Sequence, residues 1–343
     1  MTLCPSSAHR SGLLAIKVLF ENPKCWLKVF LQECESSVVT DTSNATARAR
    51  NARPLCHFYH AVYALVMVVG LLGLLGNGAV VWLLGFRVQR TPFSVYILNL
   101  ACADFLFLLG NIAWLTIIIS SHHLNMAKAL VEAVKQASLL ASVCLLMAVS
   151  TQRCVSVPYP VWYRCHRPAH LSSAVCALIW VLASCSGTLG PFCSYFASPS
   201  CHRIYLFYYV VSLLTSLVLC ASSLALLLRV RCGSGRRRPG RLYLTIALSV
   251  LAFLLLGLPL DTVLVATLYS DTFPYFDVLL PTLYLLSILN SVVNPLIYFF
   301  VGRYRQPRGH RPLREVLQSA LTDEEERDRQ RGAPSPRLEV TSV

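Results

Sequence analysis

Seven long stretches of apolar residues constrain this chain more than any other feature of its sequence. The hydrocarbon core of a bilayer is about 30 Å thick, so a helix needs about 20 mostly apolar residues to cross it. Stretches of this length lie at residues 58–84, 93–119, 133–156, 171–192, 204–230, 242–269 and 278–301. Because a backbone in lipid must satisfy its own hydrogen bonds, we predict an all-α membrane protein, a bundle of seven transmembrane helices.

The composition agrees with lipid as the solvent for most of the chain. Charged residues make up 13% and apolar residues 55% of the 343 residues, whereas soluble domains carry about 25% charged residues. The net charge of +14 comes largely from arginines in short segments between the apolar stretches. Such clustering indicates membrane topology, and we expect no nucleic-acid partner.

Arginines are concentrated on one side of the predicted bundle. They follow the first, third, fifth and seventh stretches: Arg87, Arg90, Arg164, Arg167, Arg231, Arg236, Arg237, Arg238, Arg303, Arg305, Arg308, Arg311 and Arg314. Since positive loops stay in the cytoplasm, the N-terminus is predicted to be outside. Arg48, Arg50 and Arg53 precede the first stretch and argue the other way, but the loop arginines outnumber them. A glycosylation sequon at Asn44 also favours an outer N-terminus.

The predicted organisation has three parts. Residues 1–57 form an extracellular tail, residues 58–301 the bundle and residues 302–343 a cytoplasmic tail. A short amphipathic helix on the inner membrane surface is predicted from four apolar residues at helical spacing, Leu313, Val316, Leu317 and Leu321. The chain ends with Thr341-Ser342-Val343, a pattern that a PDZ domain can bind as an added strand.

Polar and ionisable residues inside a membrane span are costly, so each one is a functional hypothesis. One set lies at mid-membrane depth on four of the predicted spans: Asn77, Asp104, Ser142, Asn290 and Asn294. A carboxylate at this depth needs a cation or hydrogen-bond donors. We therefore predict a sodium or water site around Asp104, and we expect no other metal and no cofactor.

Several motifs resemble signature positions of rhodopsin-like receptors: Leu75-Gly76-Asn77, Leu100-Ala101-Cys102-Ala103-Asp104, Trp180 and Asn294-Pro295-Leu296-Ile297-Tyr298. Three further strings resemble the Mas-related G-protein-coupled receptors, at residues 81–87, 92–96 and 162–168. This resemblance runs from about residue 60 to residue 322. It implies a plasma-membrane receptor that transduces an extracellular ligand to heterotrimeric G proteins, Gq or Gi, with arrestin as a further partner.

The resemblance also implies which residues switch the receptor. Arg153, at the cytoplasmic end of the third span, would contact the G protein when the sixth span moves outward. The residue before it is usually acidic but is Gln152 here, which predicts a less restrained inactive state and some basal activity. Gly257 replaces a tryptophan usual in the wider class, with Phe253 below it and Pro259 two residues later. The implied switch set is completed by Asn294, Pro295 and Tyr298.

Two cysteines near the fourth and fifth spans resemble the family's own disulfide. Where most rhodopsin-like receptors carry a cysteine at the top of the third span, this chain has Lys128. The common bridge to the second outer loop is therefore impossible. Cys193 and Cys201 flank a short loop on the predicted oxidising side, so the resemblance implies that they pair.

Charged residues near the outer half of the bundle are the candidate ligand contacts. Family members that bind basic peptides use acidic residues at the positions of Leu189 and Tyr205, so those anchors are missing here. Glu132, Lys135 and Asp261 remain. Lys135 would suit a ligand that carries a carboxylate, and an internal ion pair between Lys135 and Asp261 is an equal alternative. An aromatic mouth is predicted from Tyr205, Tyr208, Tyr269, Phe276 and Tyr284.

Other classes of protein fit the sequence less well. An enzyme is not expected, because no metalloprotease, hydrolase or paired-aspartate motif occurs. A retinal photoreceptor would need a lysine in the last span, and no lysine follows Lys135. A transporter would need internal repeats or more charged relay residues. The alternative that stays open is a receptor-like protein that does not couple to G proteins, given Gln152, Gly257 and Ser216, the last at a position where proline is common.

Overall fold

The computed structural model describes residues 43–88, 91–119, 125–156, 168, 170–196, 201–232, 241–269, 276–303 and 312–321. For residues 43–56 and some positions near helix ends, only the backbone is described. The described helices are α1 Ser43–Phe86, α2 Pro92–Ile119, α3 Asn125–Ser156, α4 Leu171–Tyr195, α5 Cys201–Cys232, α6 (Arg241–Ala252, Phe253–Gly257 and Leu258–Tyr269), α7 Phe276–Arg303 and α8 Leu313–Leu321. The side chain of Asn44 and the chain end at Val343 lie outside the described residues.

Seven of these helices are long and apolar enough to cross a membrane, which confirms the predicted bundle. The spanning segments are His57–Phe86, Pro92–Ile117, Asn125–Gln152, Leu171–Tyr195, Arg203–Ala225, Tyr243–Ala266 and Val278–Arg303. The third begins at Asn125 rather than at residue 133, because Lys128, Glu132 and Lys135 interrupt its apolar pattern without breaking the helix. Helix α1 begins at Ser43, before the first predicted span.

Helix α3 lies at the centre of the bundle. It packs against α2, α4 and α5, whereas α1 packs against α2 and α7. The spanning window of α3 is 72% buried inside the protein and that of α1 is 28% buried. Exposed leucines on α1, such as Leu71, Leu72 and Leu75, therefore face lipid.

Helices α3 and α4 approach each other closely at Gly187. A Cβ atom built on Gly187 would overlap the backbone nitrogen and Cα of Ala137 on α3. Both residues are buried. In membranes, small residues at a crossing let two helix backbones come together. Gly187 is therefore required for the observed packing of α4 on the central helix.

Helix α6 contains a π-helical turn at Phe253–Gly257, which ends two residues before Pro259. Proline cannot donate a backbone hydrogen bond, and π-turns are frequent at functional positions in helices. The Phe253 ring fills the space beside Gly257, since a Cβ built on Gly257 would lie 2.8 Å from Phe253 Cδ2.

Helix α5 is continuous through Ser216, whose hydroxyl donates to the Ser212 carbonyl at 2.9 Å.

Helix α8 corresponds to the predicted amphipathic helix, but part of its apolar face packs against the protein. Val316 and Leu317 are buried, whereas Leu313 is exposed. The helix lies against α7 and against the Arg241–Ala252 segment of α6. The apolar spacing predicts that this helix has an apolar face. It does not show whether the membrane surface or the end of the bundle covers that face.

Candidate functional site

The carboxylate of Asp104 joins three helices in the middle of the bundle. Asp104 on α2 is 0% exposed. Its Oδ1 accepts a hydrogen bond from Ser142 Oγ on α3 at 3.1 Å, and its Oδ2 accepts one from Asn294 Nδ2 on α7 at 2.8 Å. Three of the five residues in the predicted polar set therefore meet directly.

Asn77 joins α1 to α7 beside this cluster. Its Nδ2 donates to the carbonyl oxygens of Gly73 and Ser291, each at 3.0 Å. The Ser291 carbonyl lies four residues before Pro295, which has no backbone N–H to donate to it. Asn77 Nδ2 thus provides the Ser291 carbonyl with the hydrogen-bond donor that Pro295 lacks.

Asn290, the fifth member of the predicted polar set, lies beside the switch region of α6. A Cβ built on Gly257 would be 3.5 Å from Asn290 Nδ2. Among the described residues, Asn290 makes no hydrogen bond with Asp104. Asn290 therefore contacts α6 and does not bond directly to the Asp104 carboxylate.

Several buried oxygen atoms in this region have no hydrogen-bond partner among the described residues. They belong to the side chains of Asn77, Asn290 and Asn294. Buried polar atoms in proteins are nearly always bonded, to ordered water where no protein group reaches them. Hard cations also prefer oxygen ligands. These oxygens on α1 and α7, beside the Asp104 carboxylate, therefore fit a bound sodium ion or water molecules.

Two aromatic residues of the implied switch, Tyr298 and Phe253, are buried in the bundle. Tyr298 is 1% exposed, close to Ser249 on α6, and Phe253 is also 1% exposed. Gln152 lies near the end of α3 and is half-buried. Arg153 is part of the same helix, but its side chain lies outside the described residues.

A hydroxyl cluster between α3 and α5 was not predicted from the sequence. Ser150 Oγ lies 2.9 Å from Ser223 Oγ and accepts a hydrogen bond from Ser222 Oγ at 3.0 Å. Cys154 Sγ donates to the Ser222 carbonyl at 2.8 Å. The serines along α3 and α5 are visible in the sequence. Only the fold shows that these two helices face each other.

The two cysteines of the implied disulfide are paired. Cys193 at the end of α4 is bonded to Cys201 at the start of α5, with the two Cα atoms 5.5 Å apart. This confirms the predicted bridge. We call this end of the bundle the disulfide end.

A buried ion pair lies between Asp104 and the disulfide end. Lys135 on α3 is 6% exposed, and its Nζ lies 2.9 Å from Glu132 Oε2. The ammonium is 4.9 Å from the ring centre of Trp114 on α2 and 5.3 Å from that of Tyr284 on α7. Two aromatic faces and one carboxylate thus stabilise the cation on three helices.

The alternative pairing of Lys135 with Asp261 does not occur. Glu132 precedes Lys135 by three residues on the same helix, where side chains at this spacing are neighbours. Asp261 on α6 instead accepts a hydrogen bond from Ser212 Oγ on α5 at 2.6 Å. Asp261 is 3% exposed, so this carboxylate belongs to the contact between α5 and α6.

Tyr205 is buried near the disulfide and contacts α4. Its hydroxyl lies 3.2 Å from Ser194 Oγ, and a Cβ on Gly190 would meet its ring. Tyr208, one turn further along α5, donates to the Gln136 carbonyl on α3 at 2.8 Å. These two tyrosines of the predicted aromatic mouth thus connect helices, while the side chains of Tyr269 and Phe276 lie outside the described residues.

Three residues near Lys135 were not identified from the sequence, namely Gly110, Asn111 and Trp114. A side chain at Gly110 would overlap the stem of Lys135, and Trp114 covers the ammonium. Asn111 Oδ1 accepts a hydrogen bond from Tyr284, which belongs to the predicted aromatic mouth. Asn111 is a polar residue within a span, so the rule that selected the predicted polar set could also have identified it.

Trp180, one of the signature residues, joins α4 to α2. Its Nε1 donates to Asn99 Oδ1 at 3.0 Å. We expect Trp180→Phe to lower the free energy of unfolding by only about 0.6 kcal/mol through this bond, the mean for hydrogen bonds between membrane helices. A double-mutant cycle with Asn99→Leu, read by thermal unfolding in detergent, measures the coupling. A coupling energy of zero would show that the bond does not stabilise the bundle.

The comparisons with known proteins agree with this architecture. The family described as "7 transmembrane receptor (rhodopsin family)" matches residues 76–298. Mas-related G-protein coupled receptor member X2 of Homo sapiens is 43% identical over 280 residues, which are 78% of this chain and 85% of that protein. Member A4 of Mus musculus is 42% identical over 269 residues, 76% of this chain and 86% of that protein.

A third relative, member X1 of Mus musculus, is 38% identical over 304 residues, which are 86% of this chain and 94% of that protein. Within the rhodopsin-like class, this chain belongs to the Mas-related G-protein-coupled receptors. It is a multi-pass receptor of the cell surface and not an enzyme, and heterotrimeric G proteins are the partners expected for its family.

Proposed function

We propose that this receptor transmits the binding of an extracellular peptide or small molecule to Gq or Gi. The mechanism is a population shift in which the ligand binds preferentially to the state with α6 displaced from the bundle. Displacement of α6 exposes Arg153 and Tyr298 to the G protein, and the basic loops attract its acidic surface. Arrestin binds the same active state.

The observation that carries this proposal is the position of Asp104. Its carboxylate joins α2, α3 and α7, and the Lys135 ammonium contacts residues of the same three helices nearer the disulfide end. A ligand that moves one of these helices at Lys135 therefore also strains the hydrogen bonds of Asp104. Through Asn294 and Pro295, that strain reaches Tyr298 on α7.

The proposed ligand site lies at the disulfide end and includes Glu132, Lys135, Tyr205 and Asp261. Each is at least partly buried, and together they belong to α3, α5 and α6. A ligand with a carboxylate would compete with Glu132 for Lys135. A ligand without one would leave that ion pair in place and meet Asp261, whose hydrogen-bond donor is Ser212.

We place the N-terminus and the disulfide end outside the cell. Disulfides persist on the oxidising side of a membrane, and the arginine-rich loops favour the opposite side as cytoplasmic. With this orientation Asn44 is available for glycosylation and Val343 for a PDZ domain. Residues 302–343 then form the cytoplasmic tail.

We further propose that sodium or water binds the polar cluster around Asp104. The carboxylate and the side-chain oxygens of Asn77, Asn290 and Asn294 would hold it, and Ser142 would donate to the carboxylate as it does here. A sodium ion would be coordinated by these oxygens, and a water molecule would donate hydrogen bonds to them, so either would provide the partner that they lack among the described residues.

A direct test is the activation of Gq, Gi and Gs sensors in cells that express the intact chain without ligand. We expect a basal signal through Gq or Gi, because Gln152 provides no carboxylate to restrain Arg153 in the inactive state. Arg153→Ala, at matched surface display, should reduce this signal to the level of cells without the receptor.

Two other results of this test would count against the proposal. A basal signal that survives Arg153→Ala would remove the switch role of that residue. Good surface display without a signal through any of the three G proteins would favour the alternative, a receptor-like protein that binds a ligand or partner without coupling.

A further inference from the structure

Helix α8 lies where two helices of the proposed switch come together. It packs against α7, and it also packs against the Arg241–Ala252 segment of α6. Val316 is 2% exposed and Leu317 is 4% exposed, so both side chains are removed from solvent and lipid by the bundle itself. If α8 only rested on the membrane surface, Val316 and Leu317 would not be packed against the transmembrane helices.

Leu317 is the α8 member of an apolar cluster that extends through the bundle. That cluster includes Ile246 and Val250 on α6 and Tyr298 and Val301 on α7. All four are buried. Because α8 packs against both α6 and α7 and Leu317 is 4% exposed, we expect movement of α6 away from α7 to expose part of the Leu317 side chain.

Gly302 allows α8 to lie directly on the end of α7. A Cβ atom built on Gly302 would overlap the carbonyl oxygen of Val316 and would lie 2.9 Å from Val316 Cγ1. Gly302 is itself buried. The backbone of α8 therefore approaches α7 at a position that admits no side chain without moving α8.

We propose that α8 is an autoinhibitory clasp, which holds the Arg241–Ala252 segment of α6 against α7 in the inactive receptor. The inference rests on the proposed function, in which α6 must leave the bundle before the G protein can reach Arg153. Contacts made in one state and lost in the other shift the balance between the two. The clasp therefore offsets the weaker restraint at Gln152 and lowers basal activity.

The alternative role for α8 is a membrane anchor. Leu313 is 46% exposed on the same helix, so it faces away from the bundle and is available to lipid. The two roles use different leucines. Leu317→Ala should weaken the clasp, whereas Leu313→Ala should weaken only an anchor.

The test compares Leu317→Ala and Gly302→Ala with Leu313→Ala as the matched control. Gly302→Ala displaces α8 without removing an apolar side chain, so it remains informative if Leu317→Ala folds poorly. Two readouts are taken on the full chain: basal G-protein activation at matched surface display, and hydrogen exchange of residues 241–252 in lipid nanodiscs.

We expect both clasp variants to raise the ratio of active to inactive receptor about tenfold, equivalent to about 1.4 kcal/mol, with faster exchange at residues 241–252. Leu313→Ala should leave both readouts unchanged. Exchange at wild-type rates in both clasp variants, or an equal rise in Leu313→Ala, would overturn the clasp. Faster exchange in the clasp variants without G-protein activation in any variant would support the clasp and contradict the proposed coupling.

Discussion

Replacing Gly187 by alanine is expected to separate α4 from α3 and to prevent much of the receptor from reaching the cell surface. The added Cβ would overlap backbone atoms of Ala137, and a backbone cannot rotate away as a flexible side chain can. Inserting a single carbon into a well-packed core costs about 1–3 kcal/mol or more. Since α3 is the central helix, the loss would reach every helix that packs on it.

Gly85→Ala is the matched control for this prediction. Beyond its chain neighbours and the nearby backbone of its own helix, no described atom lies within 4 Å of a Cβ built on Gly85, which is also within a helix. Alanine is preferred over glycine in helices by about 1 kcal/mol, so Gly85→Ala should be neutral or slightly stabilising. Surface display and the thermal unfolding midpoint in detergent check both variants. Equal behaviour of the two alanine variants would contradict the close packing at Gly187.

Asp104→Ala is expected to destabilise the receptor and to abolish its signalling. The change leaves Ser142 Oγ and Asn294 Nδ2 without their acceptor, and each unpaired buried donor costs about 1–3 kcal/mol. We expect a fall in the free energy of unfolding of about 2–6 kcal/mol on this basis. Signalling should be lost because α3 and α7 no longer share a partner.

Ser142→Ala provides the comparison for Asp104→Ala. It removes one hydrogen bond and leaves the bond from Asn294 to Asp104 in place. Its effect on the unfolding midpoint should therefore be clearly smaller, and part of the signal should remain. If Ser142→Ala were as damaging as Asp104→Ala, the carboxylate would not be the centre of the cluster.

The membrane spans could be predicted because each of them must be apolar and long enough to cross the hydrocarbon core. Apolar length alone identified seven segments, and the structure confirms them. The start of α3 was placed too late, at residue 133, because charged residues weaken the apolar pattern there. In the structure those charges are tolerated since Lys135 is paired with Glu132 and covered by Trp114.

The centre of the candidate site could also be predicted, but its hydrogen bonds could not. A carboxylate in an apolar span demands donors, so Asp104 was an evident choice from the sequence. Which donors reach it depends on how the helices rotate and cross. Ser142 and Asn294 reach it, whereas Asn290 lies beside Gly257, and nothing in their local sequences distinguishes these outcomes.

The partners of Lys135 and Leu317 show the same limit. Lys135 can pair with Glu132 on its own helix or with Asp261 on another, and only the packing of α5 on α6 shows that Asp261 faces Ser212. The apolar face of α8 is visible as a pattern of leucines. The close contact of α8 with Gly302 depends on how the chain returns to the bundle after α7.

The most direct test of the account is nucleotide exchange on purified Gq and Gi by the receptor in lipid nanodiscs. Wild-type receptor is expected to accelerate exchange on one of them without ligand, and folded Arg153→Ala receptor is expected to leave exchange at the rate of empty nanodiscs. A folded wild-type receptor that accelerates neither, or an Arg153→Ala receptor as active as wild type, would contradict the predicted ligand-free coupling through this switch.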